Sequence, residues 1–456
     1  MQHLSRRAFL RLSATAIGVS ALAACAPPAA PSAAPASGES SAAAPAPAAE
    51  AITINFVVDI INEGHVAARD KWSKEFAAAN PGVTVNHQPT PGQDYGTKIQ
   101  TMFAAGTPPD VYRYLQETTP IITAVEKNLH LKLNDYIDRD GYDIADFRAD
   151  AVALYTWDGG IYALPRDYGN QNLFYNLDLL EAEGITPPPV DWEEKDFTFD
   201  VFLDMCKALT KKVGNKTEQW GFLVNRGWRP WASWVYNNGA SVVSKDARGV
   251  ATGITLAEPQ GVEALQFLQD LMYTHEVAPR PDLESELGGF ELFASGKVGI
   301  MLNNPSAVNR YRTIETFKWD VATLPVGKSD RRGTGGGGTG WAAAAATAHP
   351  DMTWKFLGYI SSPEAELDEV AVGATTPSRV SVVTSEAFLD PTKPPKNAIG
   401  FAQAQEYVVR DPVHVNWPEV IGRVVNPNMD RLWGGSASAQ EVADAIKAEG
   451  DPLFTA

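Results

Sequence analysis

The pattern that most constrains the fold is a strand followed by a helix, repeated between residues 52 and 114. The apolar, β-branched run ITINFVVDI at 52–60 predicts a strand, and apolar residues between Ala68 and Ala79 then share one face of a predicted helix. VTVNHQ, DYGTKIQTMFAAG and PDVYRY repeat the order strand, helix, strand. Such βαβ units predict an α/β fold with a largely parallel sheet.

The rest of the chain continues this alternation and is too long for one core. GIYALP, NLFYN, KVGIML and KWDVATLP predict strands, and FTFDVFLDMCKALTKKVG predicts a helix that ends at Gly214. From residue 51 to residue 456 there are 456 − 50 = 406 residues. One hydrophobic core rarely serves that length, so we expect two lobes.

The first 50 residues are predicted to export and tether the protein. Arg6-Arg7 in SRRAFLR is similar to a twin-arginine export signal, and the apolar run that follows ends in LAAC, which resembles a lipoprotein cleavage box. We therefore expect a signal peptide at 1–24 and a lipid on Cys25. The alanine-, proline- and serine-rich stretch up to residue 50 cannot build a core and is predicted to be a linker.

Charge and cysteine content exclude several classes of function. The formal net charge is −17, and it becomes about −20 once the three leader arginines are removed. Such a surface repels nucleic acid, so no nucleic-acid partner is expected. Cys25 and Cys206 are the chain's two cysteines, and with Cys25 lipidated no internal disulfide is expected.

Signatures of enzymes, cofactors and metals are weak. GTGGGGTGW contains a G-x-G-x-x-G, but a strand rather than a helix is predicted to follow it, so we expect either a flexible hairpin or a loop that brings backbone close to another group. The histidines do not pair at metal-ligand spacing, so neither metal nor cofactor is predicted. A pair of catalytic carboxylates would meet in space and not in sequence, which leaves an exported carbohydrate-active enzyme open.

Tryptophan is concentrated in RGWRPWASWVYNNG, residues 226–239. Pro230 suits the first turn of a helix, and Asn238-Gly239 suits its end. Tryptophans three residues apart on so short a helix span about 120°, too wide for one core, so one or two of them should line a cleft. Tryptophan with amide side chains suits a neutral polyhydroxylated ligand. Trp220 just upstream is predicted to pack in a core strand, and Trp234 to hold the helix down.

Four longer stretches give the chain a family resemblance. They are EFAAANPGVTVNHQPTPGQDYGTKIQTMFAAGTPPDVYRY, DGGIYALPRDYGNQNLFYNLDLLEAEGITPPP, LFASGKVGIMLNNPS and DMTWKFLGYISSPEA. In this order and spacing the chain resembles the family 1 extracellular solute-binding proteins of ABC importers, the class that includes maltose-binding protein.

The resemblance implies two α/β lobes of the periplasmic-binding-protein type II kind, joined by crossover strands and closing on a ligand by hinge motion. One lobe would comprise 51–166 plus 305–373, and the other 167–304 plus 374–456. Crossovers are expected near Arg166–Asn172, Leu302–Pro305 and Gly373–Arg379. The implied partners are a small-molecule ligand, expected to be a carbohydrate, and permease subunits with a cytoplasmic ATPase; the protein itself would be a monomer.

The resemblance also implies a set of ligand-binding residues. Ser306 stands where maltose-binding proteins have a tryptophan, which puts maltodextrin itself in doubt. Replacing Trp417 or Trp231 by alanine is expected to weaken binding about tenfold. The implied residues are Trp417, Trp231, Trp228, Tyr114, Glu117, Asn62, Glu63, Asp167, Asn170, Asn303, Asn304, Trp341 and Arg379.

Two alternatives to a sugar importer subunit remain besides the enzyme. Acidic residues beside aromatic ones also suit a cationic solute such as a polyamine. A receptor that feeds a membrane sensor would have the same sequence features as an importer subunit.

Overall fold

The computed structural model describes residues 51–329, 331–373 and 376–455. The predicted signal peptide, Cys25 and the linker lie outside the described residues. The strands, in chain order, are β1 (Ile52–Ile60), β2 (Val83–Pro91), β3 (Val111–Tyr114), β4 (Thr156–Trp157), β5 (Gly160–Ile161), β6 (Leu164–Pro165), β7 (Asn172–Asn176), β8 (Lys211–Val213), β9 (Lys216–Leu223), β10 (Val243–Lys245), β11 (Ala251–Ile254), β12 (Val298–Asn303), β13 (Trp319–Ala322), β14 (Thr334–Gly336), β15 (Gly340–Ala343) and β16 (Val408–Arg410).

Helices cover both sheets and form most of the C-terminal region. One irregular helix runs from Trp417 through a π-helical segment, Val420–Val425, to Trp433. The α-helices are Glu63–Ala79, Gly92–Ala104, Ile121–Glu126, Asn134–Asp140, Ala149–Ala153, Leu177–Ala182, Phe199–Leu209, Trp228–Asn237, Pro259–Tyr273, Pro281–Leu287, Gly289–Ala294, Val308–Tyr311, Pro350–Ile360, Pro363–Ala371, Val380–Val383, Ile399–Ala404, Trp417–Glu419, Asn426–Trp433 and Ala439–Gly450.

The first lobe is built on a five-stranded sheet in the order β2-β1-β3-β15-β6. β1 runs parallel to β2 and β3, and β15 runs antiparallel to β3. The βαβ pattern predicted from residues 52–114 is therefore confirmed. Phe56 on β1, Trp72 on the first helix and Phe356 on a later helix are buried together in the core of this lobe.

The second lobe is built on a sheet in the order β13-β7-β12-β9-β8. Its core takes in most of the Trp228–Asn237 helix and the two C-terminal helices. β13 pairs with β7 in this sheet and therefore lies in the second lobe, whereas residues 305–373 were predicted to belong to the first lobe. The helix predicted over 197–214 covers only Phe199–Leu209, because β8 follows it and the chain turns through Gly214, at φ +61°, to pair β8 with β9.

Three chain segments pass between the lobes side by side. Residues 166–171 link β6 to β7. Residues 334–339 comprise β14 and its connection to β15, and residues 376–378 lie along the other edge of the first segment. The first segment falls at the expected Arg166–Asn172, and part of the third, residues 374–375, lies outside the described residues. The second is not at Leu302–Pro305, because β13 keeps the chain in the second lobe after that point.

The glycine-rich stretch is this second crossing. Gly169 N–H donates to the Gly337 carbonyl at 2.7 Å, and Gly337 N–H donates back to Gly169 at 3.1 Å. A Cβ on Gly338 would lie 1.9 Å from the Asp167 carbonyl oxygen, and one on Gly336 would lie 2.3 Å from the Gly169 carbonyl oxygen. Only glycine permits two backbones to come this close. The stretch thus brings backbone close to another group, as predicted.

Candidate ligand-binding cleft

A cavity of about 780 Å³ lies between the lobes, above the three crossing segments. Its volume falls in the range of small-molecule sites in proteins. The floor comes from the crossings and the walls from both lobes. Its principal residues are Arg113, Glu117, Trp157, Arg166, Asp167, Gly169, Trp228, Arg229, Lys245, Arg248, Asn304, Gly337, Thr376, Arg410, Asp411 and Trp417.

Two tryptophans form an aromatic wall on the second lobe. The rings of Trp228 and Trp417 meet edge to face with centroids 5.1 Å apart, and both border the cavity. Trp228 starts its helix and borders the cavity, whereas Trp231 lies behind it, against the Trp228 ring, with 1% of its surface exposed. Trp234 is equally buried and holds the helix to the core, as expected.

The position of Trp417 follows from the irregular helix that it begins. Pro418 occupies the first turn, where its missing N–H costs nothing, and the helix then widens into the π-helical segment. Ile421 and Gly422 of that segment also border the cavity. Widened turns of this kind are frequent at functional sites.

Asp411 organises the polar groups beside the aromatic wall. Its carboxylate accepts a hydrogen bond from Trp228 Nε1 at 3.0 Å and a bidentate pair from Arg229, at 3.1 Å from Nε and 2.7 Å from Nη2. The charge of Asp411 raises the pKa of Arg229. Arg229 Nη2 also lies 3.6 Å from Glu117 Oε2, which belongs to the other lobe. Trp228 and Arg229 are therefore fixed by one carboxylate.

A β-hairpin of the first lobe supplies a third tryptophan. Asp158 and Gly159 have φ of +46° and +74°, as the tight turn between β4 and β5 requires. The turn presents Trp157 to the cavity, with the Arg248 guanidinium 4.5 Å from the ring centroid. Arg248 also pairs with Asp158 at 3.2 Å. Because Arg248 belongs to the second lobe, this contact spans the cleft.

Buried ion pairs hold the floor of the cavity. Asp167 accepts hydrogen bonds from Thr339 N–H at 2.7 Å and Thr339 Oγ1 at 2.8 Å, and it pairs with Arg166. Arg166 also pairs with buried Glu369 at 2.8 Å. Removing one member of such a network leaves a buried charge uncompensated. The network therefore fixes the first crossing to the first lobe.

Five of the predicted ligand residues border this cavity: Trp417, Trp228, Glu117, Asp167 and Asn304. Trp231 does not, because it packs in the core of the second lobe. Trp341 is buried in the first lobe, with the Arg69 and Arg166 guanidinium groups 5.5 and 5.6 Å from its ring centroid.

The other predicted residues serve local structure. Tyr114 is buried against His130, at 4.4 Å between ring centroids, and borders a second cavity of about 520 Å³. Asn62 caps the first helix, of which Glu63 is the exposed first residue. Asn170 donates to the Phe401 carbonyl, Asn303 to the Tyr311 hydroxyl, and Arg379 pairs with Asp146 at 3.1 Å.

Sequence reasoning missed Trp157 and the cationic residues of the cavity. The Asp-Gly turn after Trp157 was a usable signal for a hairpin, since that dipeptide favours a tight β-turn. Lys245, Arg248 and Arg410 carry no such signal because they meet only in space. Within the described residues, no group of His, Cys, Asp and Glu side chains is arranged to hold a metal ion.

Glu366 gives the hinge region a pH dependence that can be measured. Burial raises its pKa to about 8, against hydrogen bonds from the Ser378 hydroxyl and from Arg379 N–H at 3.1 Å. Between pH 4.5 and about 8, the native state thus keeps the Glu366 proton, whereas the unfolded chain, in which this carboxyl has its ordinary pKa of 4.5, has released it. The stability that protonated Glu366 contributes is complete below pH 4.5 and is lost as the pH rises towards about 8.

We therefore expect the urea midpoint of the wild type, relative to that of Glu366→Gln, to fall steadily between pH 5 and pH 8, because each pKa unit corresponds to about 1.4 kcal/mol. The buried histidines titrate alike in both proteins, so the difference isolates Glu366. A difference that does not change with pH would show that Glu366 is ionised in the native state.

A cavity between two α/β lobes, floored by three adjacent crossings and walled by aromatic and charged side chains, defines a bilobal solute-binding protein. The chain belongs to the bacterial extracellular solute-binding proteins, whose family model matches residues 71–396. Both the two-lobed α/β fold class and the family resemblance predicted from the sequence are confirmed.

Several known binding proteins are similar to this chain in sequence or in fold. A binding protein of Brucella abortus is 26% identical over 298 residues, covering 64% of this chain and 67% of that protein. The lactose-binding protein of Rhizobium radiobacter is 24% identical over 354 residues, covering 72% and 75%. The structure of an ABC substrate-binding protein from Listeria monocytogenes in complex with cycloalternan has a TM-score of 0.76 and 22% identity, covering 89% of this chain and 100% of that one.

Proposed function

We propose that this protein is the extracytoplasmic substrate-binding subunit of an ABC importer and that it binds an oligosaccharide in the cleft. The observation that carries the proposal is the aromatic wall of Trp228 and Trp417 beside fixed hydrogen-bonding groups in a cavity of about 780 Å³. Ring faces cover the C–H faces of a sugar, and fixed polar groups bind its hydroxyls. The lactose-binding relative and the cycloalternan complex support a carbohydrate ligand.

Binding would act through the hinge. A ligand that contacts both lobes shifts the protein towards the closed form only as far as it binds that form better. Trp157 and Glu117 on one lobe and Trp228, Arg229 and Trp417 on the other offer such contacts. The closed form would then be the one that the permease subunits recognise, while their cytoplasmic ATPase drives transport, with no catalytic step in this protein.

The charge of the cavity argues against a cationic solute. Of the three carboxylates that border it, Asp167 and Asp411 are already engaged by arginines, and Glu117 lies beside Arg229. A polyamine would have to displace these pairs. The same pairing argues against a glycosidase, whose two carboxyl groups must be free to act on the sugar.

Export and anchoring complete the proposal. The twin-arginine and lipoprotein signals support export, followed by attachment to the outer face of the cytoplasmic membrane through a lipid on Cys25. Among the described residues, no helix combines the length and apolar character needed to cross a bilayer. The protein would work as a monomer, tethered near its permease.

The thermal melting temperature of the purified protein tests this proposal against a panel of oligosaccharides and a panel of polyamines. A ligand at a hundred times its Kd stabilises the native state by about 2.7 kcal/mol. We expect a clear upward shift with at least one saccharide. A shift with polyamines alone would overturn the sugar proposal.

Trp228→Ala and Trp417→Ala should each weaken saccharide binding about tenfold, on the order of 1.4 kcal/mol, because each removes one ring of the aromatic wall. Calorimetric titration with the saccharide found by the melting panel measures this effect. Trp220→Phe is the matched control, since Trp220 packs on a core cluster away from the cavity. Unchanged affinity in both alanine variants would show that the ligand does not touch this wall.

A further inference from the structure

The cavity is cationic in a protein of formal net charge −17. Glu117, Asp167 and Asp411 are its acidic residues. The cavity has twice as many cationic residues as acidic ones. The cationic residues are Arg113, Arg166, Arg229, Lys245, Arg248 and Arg410.

Four of these cations already have a carboxylate partner. Neutralised pairs contribute little to a ligand's charge preference, because their charges are compensated within the protein. The pairs are Arg113 with Asp59, Arg166 with Asp167 and Glu369, Arg229 with Asp411, and Arg248 with Asp158.

Lys245 and Arg410 are different. Neither side chain makes an ion pair or a hydrogen bond within the part of the chain that the structure describes. Lys245 ends β10, and Arg410 ends β16. Both side chains border the cavity. Desolvation of the Lys245 ammonium and the positive charges of Arg410 and Arg331 lower the pKa of Lys245, and the negative charge of Asp411 opposes them.

The neighbouring carboxylate, Asp411, is already engaged by other side chains. Asp411 follows Arg410 in sequence, but both of its oxygens are held by Arg229, and one also accepts the Trp228 Nε1–H bond. Arg410 is therefore one residue from the group that fixes the aromatic wall, while its own guanidinium has no partner among the described residues. A ligand stacked on Trp228 would therefore share the cavity with Lys245 and Arg410, which have no carboxylate partner among the described residues.

We propose that the bound saccharide carries a carboxylate, as a hexuronic acid does, and that Lys245 and Arg410 bind that group. Closing the cleft around two unpaired cations removes water from them at a cost, and an anion offsets that cost. The planar guanidinium matches a carboxylate bidentately, and the ammonium adds a second charge-assisted hydrogen bond. This inference rests on the proposed function and narrows the ligand to acidic oligosaccharides.

The experiment is a calorimetric titration of the full-length protein with di- to tetrasaccharides of hexuronic acids. Each is compared with its counterpart in which every carboxyl group has been reduced to a hydroxymethyl group. We expect an acidic saccharide to bind at least about tenfold more tightly than its counterpart, and its affinity to fall as salt is added. Sulfated counterparts form a third arm.

The double variant Lys245→Gln/Arg410→Gln should lose this preference, with a melting temperature near that of the wild type. Lys74→Gln, on an exposed position of the first helix, removes a charge outside the cavity and should keep the preference. Equal or tighter binding of the reduced saccharides overturns this inference and leaves the proposed function standing. Tighter binding of sulfated saccharides overturns the carboxylate assignment. Preference retained in the double variant overturns the assigned residues, and binding of no saccharide overturns the proposed function as well.

Discussion

Trp231→Ala is expected to lower the free energy of unfolding by about 3–5 kcal/mol, the range for removing a large buried aromatic side chain. Trp231 is 1% exposed within the core of the second lobe, and its ring meets that of Trp228 at 4.9 Å between centroids. Its loss leaves a void beneath the aromatic wall. This expectation replaces the one from sequence, in which Trp231 itself contacted the ligand.

Urea unfolding of the wild type and variant, followed by tryptophan fluorescence or circular dichroism, measures the change. Trp231→Phe is the matched control, because it keeps an aromatic ring and part of the volume and should lose less. Affinity of the folded variant should stay within about threefold of the wild type. Full stability combined with lost binding would instead place Trp231 in contact with the ligand.

Gly338→Ala should lower the free energy of unfolding by about 3 kcal/mol, at the upper end for overpacking. The added methyl carbon would lie 1.9 Å from the Asp167 carbonyl oxygen. Backbone cannot move aside as a flexible side chain does, so the first and second crossings would have to separate. Saccharide binding should weaken as well, since Asp167 forms part of the cavity floor.

Gly92→Ala is the control for Gly338→Ala. Gly92 begins a helix, and an added methyl carbon there would find its nearest atom, the Ile60 carbonyl oxygen, at 3.7 Å. That variant should unfold at nearly the same urea concentration as the wild type, whereas the Gly338→Ala midpoint should drop clearly. Equal midpoints would mean that the first and second crossings can separate without a loss in the free energy of unfolding.

The α/β class and the first sheet could be predicted because strand and helix periodicity are local properties of the chain. The end of the Trp228–Asn237 helix was also predictable, since Gly239 takes the positive φ of +86° that glycine favours. The lobe assignment of β13 was not predictable, because an apolar strand pattern does not specify which sheet the strand joins.

In the candidate site, too, some features could be predicted from the sequence and others could not. Tyr114 and Arg113 are adjacent on β3, and neighbouring residues of a strand point to opposite faces. The aromatic residue faces the core, and the arginine borders the cavity. Sequence favours the aromatic as a sugar contact, but it cannot tell which face of β3 is open. Trp341 was misplaced for the same reason, since β15 joins the sheet beside β3.

The contacts between Arg248 and Asp158 and between Arg229 and Glu117 join the two lobes directly across the cleft, at 3.2 and 3.6 Å. Exposed pairs of this kind contribute about 0–1 kcal/mol, and dissolved salt screens them. Salt therefore weakens both links between the lobes. In dilute salt these links are stronger, which would favour a closed over an open cleft.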